Sequence, residues 1–325
     1  MIKKHSLTGM LLCFLICHKG FTQQVTLSSV LKEMTNFDAV TKYPSPLYSM
    51  KQVSSYDRKS ISPDKPGWFA NADFNQFMRE EKNGSRTEYV MMDAEGPGAI
   101  VRFWLTTIVK PGTMRFYFDG NEKAAIEIPG FDLLRGFKLG SALLNPHSSY
   151  EPEGKGGNTL YFPLLYQKHC KVTWEYTDTS VINKPHYYQI NYRTYTPETK
   201  VETFSPNHFT KYKKEIDKAE QTLWNPMAVA GKKVSTNKIL ASGEEINISL
   251  PTGTNAIRSI SAILKTDINI NYEKMWRSIF LKIEFDGKQT VMCPLGDFIG
   301  GGYGGKKSKA GIGIYRIVVP WLVVG

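Results

Sequence analysis

At 325 residues, 41% hydrophobic and 22% charged, the chain is long and apolar enough for two domains of ordinary size, which excludes global disorder. An aromatic share of 12% leans towards sheet, because flat and β-branched side chains fit a pleated, half-buried surface. The formal charge of +11 would suit an acidic partner, but the lysines are scattered and no nucleic-acid motif accompanies them, so nucleic acid is not an expected partner.

The first residues predict export. Lys3 and Lys4 precede the apolar run Leu11-Leu-Cys-Phe-Leu-Ile-Cys17, and the chain turns polar by Thr22-Gln-Gln24. That is the pattern of a secretory signal peptide, assigned to residues 1–22, with the mature protein expected in a periplasm or outside the cell. The run is too short to span a bilayer, so no membrane span is expected. Beyond it stand two cysteines, Cys170 and Cys293, each in an apolar strand-like run and expected as separate thiols. Neither Cys-x-x-Cys nor a zincin motif occurs, so neither metal nor cofactor is expected.

Residues 23–50 read as an N-terminal helix and an extended segment. Leu27, Val30, Leu31 and Met34 recur at helical spacing, with Thr26 or Ser28 as the cap. Pro44, Pro46 and Ser54–Arg58 read as extended chain, and Lys59–Gly67, with two prolines, as a loop. Short strands then follow at turn-punctuated spacing: 87–92, 99–107, 114–118, 124–128, 160–165, 171–176 and 187–192. This texture, without alternating helices, predicts a first jelly-roll domain over residues 51–200. Phe209, Tyr212, Ile216, Ala219 and Leu223 at helical spacing predict one connecting helix within 201–230.

The strand pattern then returns. Gly96–Phe103 is echoed by Gly253–Ile260, Met114–Gly120 by Leu281–Gly287, and Pro129–Asp132 by Pro294–Asp297. Three matches in one order predict an internal duplication, with residues 231–325 as a second, partial jelly-roll. The fold expected is thus all-β, a tandem pair of jelly-roll β-sandwiches. Only 28 residues follow Asp297, so the second copy is expected to be incomplete.

For chemistry, carboxylates are the candidates. Asp57 lies in Ser-Ser-Tyr-Asp-Arg, Glu95 with Asp93 precedes Gly96-Pro-Gly98, and Asp132 and Asp297 sit at the two repeated turns. Glycoside hydrolysis uses two carboxyl groups, about 5–5.5 Å apart for retention and 6.5–9.5 Å for inversion. An acid in such a place is more often a turn former, its side chain bonding to nearby backbone, and for each acid alone that is the favoured reading. Trp68, on a loop beside Pro66 and Gly67, is the better platform for stacking a sugar, whereas Trp104 and Trp174 lie within strands and could fill the core. Gly300–Gly305 lacks the order of a phosphate loop, and no Gly-x-Ser-x-Gly elbow occurs.

Leu27-Ser-Ser-Val-Leu-Lys-Glu-Met-Thr35, Ser54-Ser-Tyr-Asp-Arg58, Gly96-Pro-Gly-Ala-Ile-Val-Arg-Phe-Trp104, Phe118-Asp-Gly120 and Cys293-Pro-Leu-Gly-Asp-Phe298 stand in this order. Over roughly residues 27–300 the chain resembles the domain-of-unknown-function 2961 family, also classified as glycoside hydrolase family 172. The resemblance implies two jelly-rolls, assembly into homo-oligomers and a metal-free retaining mechanism with two glutamates. It also implies an oligosaccharide or polysaccharide substrate, with exo-acting hydrolysis or transfer of α-D-fructofuranosides or D-arabinofuranosides. The family's glutamates lie in Gly-Glu-Gly-Asp and Gly-Thr-Gly-Thr-Glu-Asp-Tyr-Phe motifs of the second jelly-roll. Here Trp276–Glu284 contains no Gly-Glu-Gly-Asp, and Asp297 is the nearest acid at the second place. The candidates carried forward are Asp297, Glu95 and Asp57 for catalysis, and Trp68, Asp132 and Trp104 for substrate binding; a non-catalytic carbohydrate-binding protein is the alternative.

Overall fold

The structure, a computed structural model, describes residues 24–36, 39, 42–107, 112–129, 147–148, 158–224, 231–257, 259–260, 262–263 and 272–298. It forms two compact units, one chiefly of Ser45–Lys213 and one of Leu31–Pro44 with the chain from Lys214 onward.

Helix α1 (Leu27–Thr35) opens with a reciprocal cap in which Ser29 N–H donates to Thr26 Oγ1 (3.2 Å) and Thr26 N–H to Ser29 Oγ (2.9 Å). Two of the orphan amides of the first turn are thereby satisfied. Ahead of it, Val25 makes a parallel bridge to Val201.

The first unit is a β-sandwich of antiparallel strands: β1 (Tyr48–Ser54), β2 (Arg79–Asn83), β3 (Arg86–Glu95), β4 (Gly98–Thr107), β5 (Thr113–Phe118), β6 (Ile126–Pro129), β7 (His147–Ser148), β8 (Asn158–Leu160), β9 (Leu164–Tyr166), β10 (His169–Glu175) and β11 (His186–Tyr195). One sheet runs β1-β11-β4-β8-β7, with β9 also on β4; the other runs β2-β3-β10-β5-β6. Alternation sets the faces. In β4 and β11, Phe103, Leu105, Tyr188 and Ile190 are 1% exposed or less, while Arg102, Trp104, Gln189 and Asn191 between them are half-buried. Across the core Phe103 meets Phe116 at 6.0 Å between ring centroids. Edge strand β2 reads Arg-Glu-Glu-Lys-Asn.

The short strands of the sequence reading are present, with longer ends for β3, β10 and β11. β1, β2 and the two-residue β7 are additional; the first lies in the segment expected only as extended chain. The expected strand 160–165 divides into β8 and β9. The single connecting helix is two, α2 (His208–Lys211) and α3 (Lys213–Trp224), because Tyr212 leaves helical geometry at φ −107° and ψ 20°. Ile216 and Ala219 are buried as their spacing implied.

In the second unit, α4 (Tyr272–Ser278) leads to the hairpin of β12 (Phe280–Phe285) and β13 (Lys288–Pro294), followed by α5 (Leu295–Phe298). Two of the matched turns share a backbone conformation. Asp119 and Gly120 after β5 have φ of 58° and 77°, and Asp286 and Gly287 after β12 have 50° and 75°. Positive φ at consecutive positions is what an Asp-Gly pair supplies. The echo at 253–257 forms no strand. Cys170 is buried and Cys293 half-buried, and both are free thiols. No helix of the described residues is long and apolar enough to cross a membrane.

Candidate functional site

Asp57 is buried, and its carboxylate is spent on the backbone. Oδ1 accepts from Lys59 N–H (3.0 Å) and Oδ2 from Ala72 N–H (3.0 Å), while Asp57 N–H donates to Asp73 Oδ1 (2.7 Å). The Lys59 and Ala72 amides hold its carboxyl below the usual carboxylate range. These bonds tie the two ends of the 58–72 loop together. Arg58 adds Nη2–H bonds to the carbonyls of Ser54 (2.8 Å) and Gln76 (3.1 Å). Within the loop Ser60 Oγ donates to the Trp68 carbonyl (2.6 Å), and Gly67 takes φ +88°, where an added Cβ would lie 2.9 Å from the Lys59 carbonyl oxygen. The knot presents Trp68 (39% exposed) and Phe69 (93%) to solvent. The structure therefore gives Asp57 the work of a loop anchor and leaves Trp68 available as a surface platform.

Glu95 is exposed at the end of β3, opposite His169 on β10. It stands just before the Gly96-Pro-Gly98 turn, where Gly98 allows the Tyr166 ring within 2.4 Å of a would-be Cβ. Glu95 and Asp57 occupy opposite ends of the sandwich. The turn beside Glu95 leads to Gly98, paired with Thr194 of β11, whereas Asp57 follows Ser54, paired with Gln189. Five residues of β11 separate these pairings, about 17 Å of strand. That exceeds both carboxylate separations used in glycoside hydrolysis.

Asp297 lies in the second unit, on α5, partly exposed, with Arg277 Nη2 at 3.4 Å. Asp132 falls outside the described residues. Trp174 is fully buried core, whereas Trp104 points to the outer face of its sheet. Alternation with Phe103 and Leu105 decides this, a signal already present in the sequence.

Sequence reasoning missed the most charged region, the outer face of the β2-β3-β10-β5-β6 sheet. Glu88 (1% exposed) accepts from Tyr117 OH (2.8 and 2.9 Å), Thr173 Oγ1 (2.7 Å) and Asn83 Nδ2 (3.1 Å). Arg86 lies 3.3 Å from it and Arg115 4.0 Å. Arg115, buried, also pairs with Glu127 (2.9 Å) and Glu175 (2.6 Å). Burial works against the Arg115 charge, yet Glu127 and Glu175 outweigh it and raise its pKa. Tyr117 is pushed up to about 12, by burial first and by Glu88 second. A neighbouring set joins Arg79 to Glu81 and Asp93, Asp93 to His169, and Lys171 to Glu81 (2.7 Å). One arginine inside the apolar strand Thr-Met-Arg-Phe-Tyr-Phe was the available signal, since a buried charge requires partners. Every carboxylate of the Glu88–Arg115 set is engaged by cations or hydroxyls, which marks a structural clamp. Among the described residues no group of three or more His, Cys, Asp or Glu side chains is arranged to hold a metal ion.

No curated protein matches the chain. Residues 46–212, just over half of the chain and the whole sandwich described above, match the family model for the GH172 first beta-sandwich domain. The chain belongs to glycoside hydrolase family 172, a family of carbohydrate-active proteins.

Proposed function

We propose that the protein is exported and hydrolyses or transfers furanosides, α-D-fructofuranosides or D-arabinofuranosides, by a two-carboxylate mechanism, in an assembly of several copies. In this reading the first sandwich supplies recognition, with acid–base chemistry supplied elsewhere. The supporting observation is the loop closed by Asp57, which offers Trp68 to a sugar ring on a fixed base. With the loop backbone beneath the indole already ordered, less conformational freedom is lost when a sugar stacks on it.

Nitrophenyl furanosides test the reading directly. Turnover of at least one is expected. Asp57→Asn should leave kcat within about threefold, since an amide oxygen still accepts one of the two loop bonds. Trp68→Ala should raise KM about tenfold, the worth of roughly 1.4 kcal/mol of stacking. Loss of turnover in Asp57→Asn with the loop intact would return Asp57 to a chemical role. An unchanged KM in Trp68→Ala would remove Trp68 from the site.

A non-catalytic carbohydrate-binding protein is the second reading. It is favoured by one observation: Asp57 and Glu95, the two candidate acids in the first unit, stand at opposite ends of the sandwich. Glycan binding without turnover on any furanoside would establish it over the first. Asp297→Ala and Glu95→Ala complete the panel, because activity surviving both would exclude these acids as the pair.

The Asp57 knot carries its own expectation, independent of activity. Asp57→Ala frees the two amides, and limited proteolysis should then cut within residues 58–72 faster than in the wild type. Equal cleavage rates would contradict the anchoring role.

A further inference from the structure

The outer face of the β1-β11-β4 sheet carries a built array of donors that the reading above does not use. Cross-strand register places Gln52, Asn191 and Arg102 in one row, and Gln189, Trp104 and Thr159 in the next. Arg102 Nη1–H donates to Asn191 Oδ1 (3.0 Å) and Gln189 Oε1 (3.2 Å), and Asn191 Nδ2–H donates to Gln52 Oε1 (2.9 Å). Each amide oxygen is consumed inside the ladder. Gln52 is exposed and Gln189 half-buried on this face, and their outer Nε2–H groups have no partner among the described residues.

Both Nη1 protons of Arg102 are committed, and this fixes the guanidinium plane. Its Nε–Nη2 edge has no partner among the described residues. Two parallel N–H groups along one edge form the fork that takes a carboxylate in two hydrogen bonds. None of the described residues on this face, from Tyr48, Met50 and Gln52 through Tyr187, Gln189, Asn191 and Arg193 to Arg102, Trp104 and Thr106, is Asp or Glu. Among the described residues Arg102 therefore has no carboxylate partner, whereas Arg79, Arg86 and Arg115 of the opposite sheet each have one. Trp104 flanks it, and Tyr187, edge-to-face with the exposed Phe74 at 6.0 Å, lies one row further along, about 7 Å from the Trp104 row.

We infer that this face is a second glycan-binding surface, distinct from the Trp68 loop, for a chain containing uronic acid, with a uronate carboxylate on Arg102 and a sugar ring on Trp104. The choice of a glycan over an acidic peptide rests on the carbohydrate-active reading of the protein. It also rests on the array itself, in which one indole face and these amide N–H groups match ring faces and hydroxyl oxygens. The array is held by the ladder before ligand arrives, so binding costs little ordering. A net charge of +11 favours approach of a polyanion.

Isothermal titration of the full chain tests this with three probes: oligogalacturonate, a neutral arabinan oligosaccharide and poly-L-glutamate. Oligogalacturonate is expected to bind, more weakly as salt rises. Arg102→Gln should weaken it about tenfold or more, in line with the loss of a charge-assisted fork. Arg102→Lys, which keeps the charge and the packing of the stem, should restore only part of the loss. Trp104→Ala should bind more weakly than Trp104→Phe, with thermal melts of all four variants showing a folded sandwich.

No binding of oligogalacturonate, or equal binding by wild type and Arg102→Gln, would overturn the inference. So would arabinan binding as tight as that of oligogalacturonate and lost equally in Arg102→Gln, or poly-L-glutamate binding as tight and equally sensitive to both sites, which would point to a protein partner. Furanoside turnover reads the other proposal separately. Uronate binding without turnover leaves this surface standing, and turnover without uronate binding leaves only the furanoside reading.

Discussion

Replacing Glu88 with alanine is expected to destabilise the first sandwich by about 3–5 kcal/mol, the cost of breaking a buried ion pair by removing one partner. The cost does not come from the lost attraction alone. Tyr117 OH, Thr173 Oγ1 and Asn83 Nδ2 would each lose an acceptor, and Arg86 would lose its carboxylate. A buried donor left without a partner keeps its full desolvation penalty. Glu88→Gln, which retains one carbonyl acceptor, should cost less than half as much. Urea unfolding followed by tryptophan fluorescence reads this, because Trp174 lies on the neighbouring strand with its ring fully buried. A loss below about 1 kcal/mol would mean that water replaces the carboxylate and that the clamp is incidental.

Acidification from pH 6.5 to 4.5 is expected to weaken the fold by about 2 kcal/mol through His186. This ring is completely buried, and neither nitrogen has a hydrogen bond among the described residues. It is enclosed by Trp174 (4.6 Å between centroids), Phe77 (5.5 Å) and Tyr188 (6.2 Å). Burial lowers its pKa to about 3. The folded state thus holds His186 neutral down to that pH, while the unfolded chain takes up a proton below its ordinary 6.5. The unfolded state binds more protons across this window, so stability falls as pH falls and is fully present only above about 6.5. His208, also lowered by burial, acts in the same direction. Asp57, Glu81, Asp93, Glu127 and Glu202 have lowered pKa values and enter only further into acid. His186→Phe keeps the ring shape and removes both orphan nitrogens. It should raise stability at neutral pH by about 1–2 kcal/mol and flatten most of the slope between pH 6.5 and 4.5. A slope unchanged in that variant would assign the acid limb to His208.

The sandwich was legible because strand periodicity and turn chemistry are local. Asp119-Gly120 and Asp286-Gly287 announced their turns, and the apolar strands β4, β5, β10 and β11 announced the core. β1 and β2 were harder for a physical reason. Edge strands pair on one side only and need no apolar run, so Tyr-Ser-Met-Lys-Gln-Val-Ser and Arg-Glu-Glu-Lys-Asn do not read as strands. The candidate acids show a sharper limit. Asp57 and Glu95 are 38 positions apart in sequence, and only the pairing of β1 and β4 with β11 shows that they stand at opposite ends. Arg102 and its ladder depend on the same register. Alternation in the sequence puts Arg102 and Trp104 on one face, but the partners come from strands some fifty and ninety residues away.

The charge on β2 has a consequence for the protein in concentrated solution. An open strand edge is a template on which another chain can add a strand. Any strand docking beside β2 would have to strip water from Arg79, Glu80, Glu81 and Lys82 within five residues. Arg79 and Glu81 are already tied back onto the sheet through Asp93 and Lys171, so they cannot turn aside without giving up those pairs. The ion pairs that secure this face therefore also protect its margin against edge-to-edge growth of the sheet between molecules.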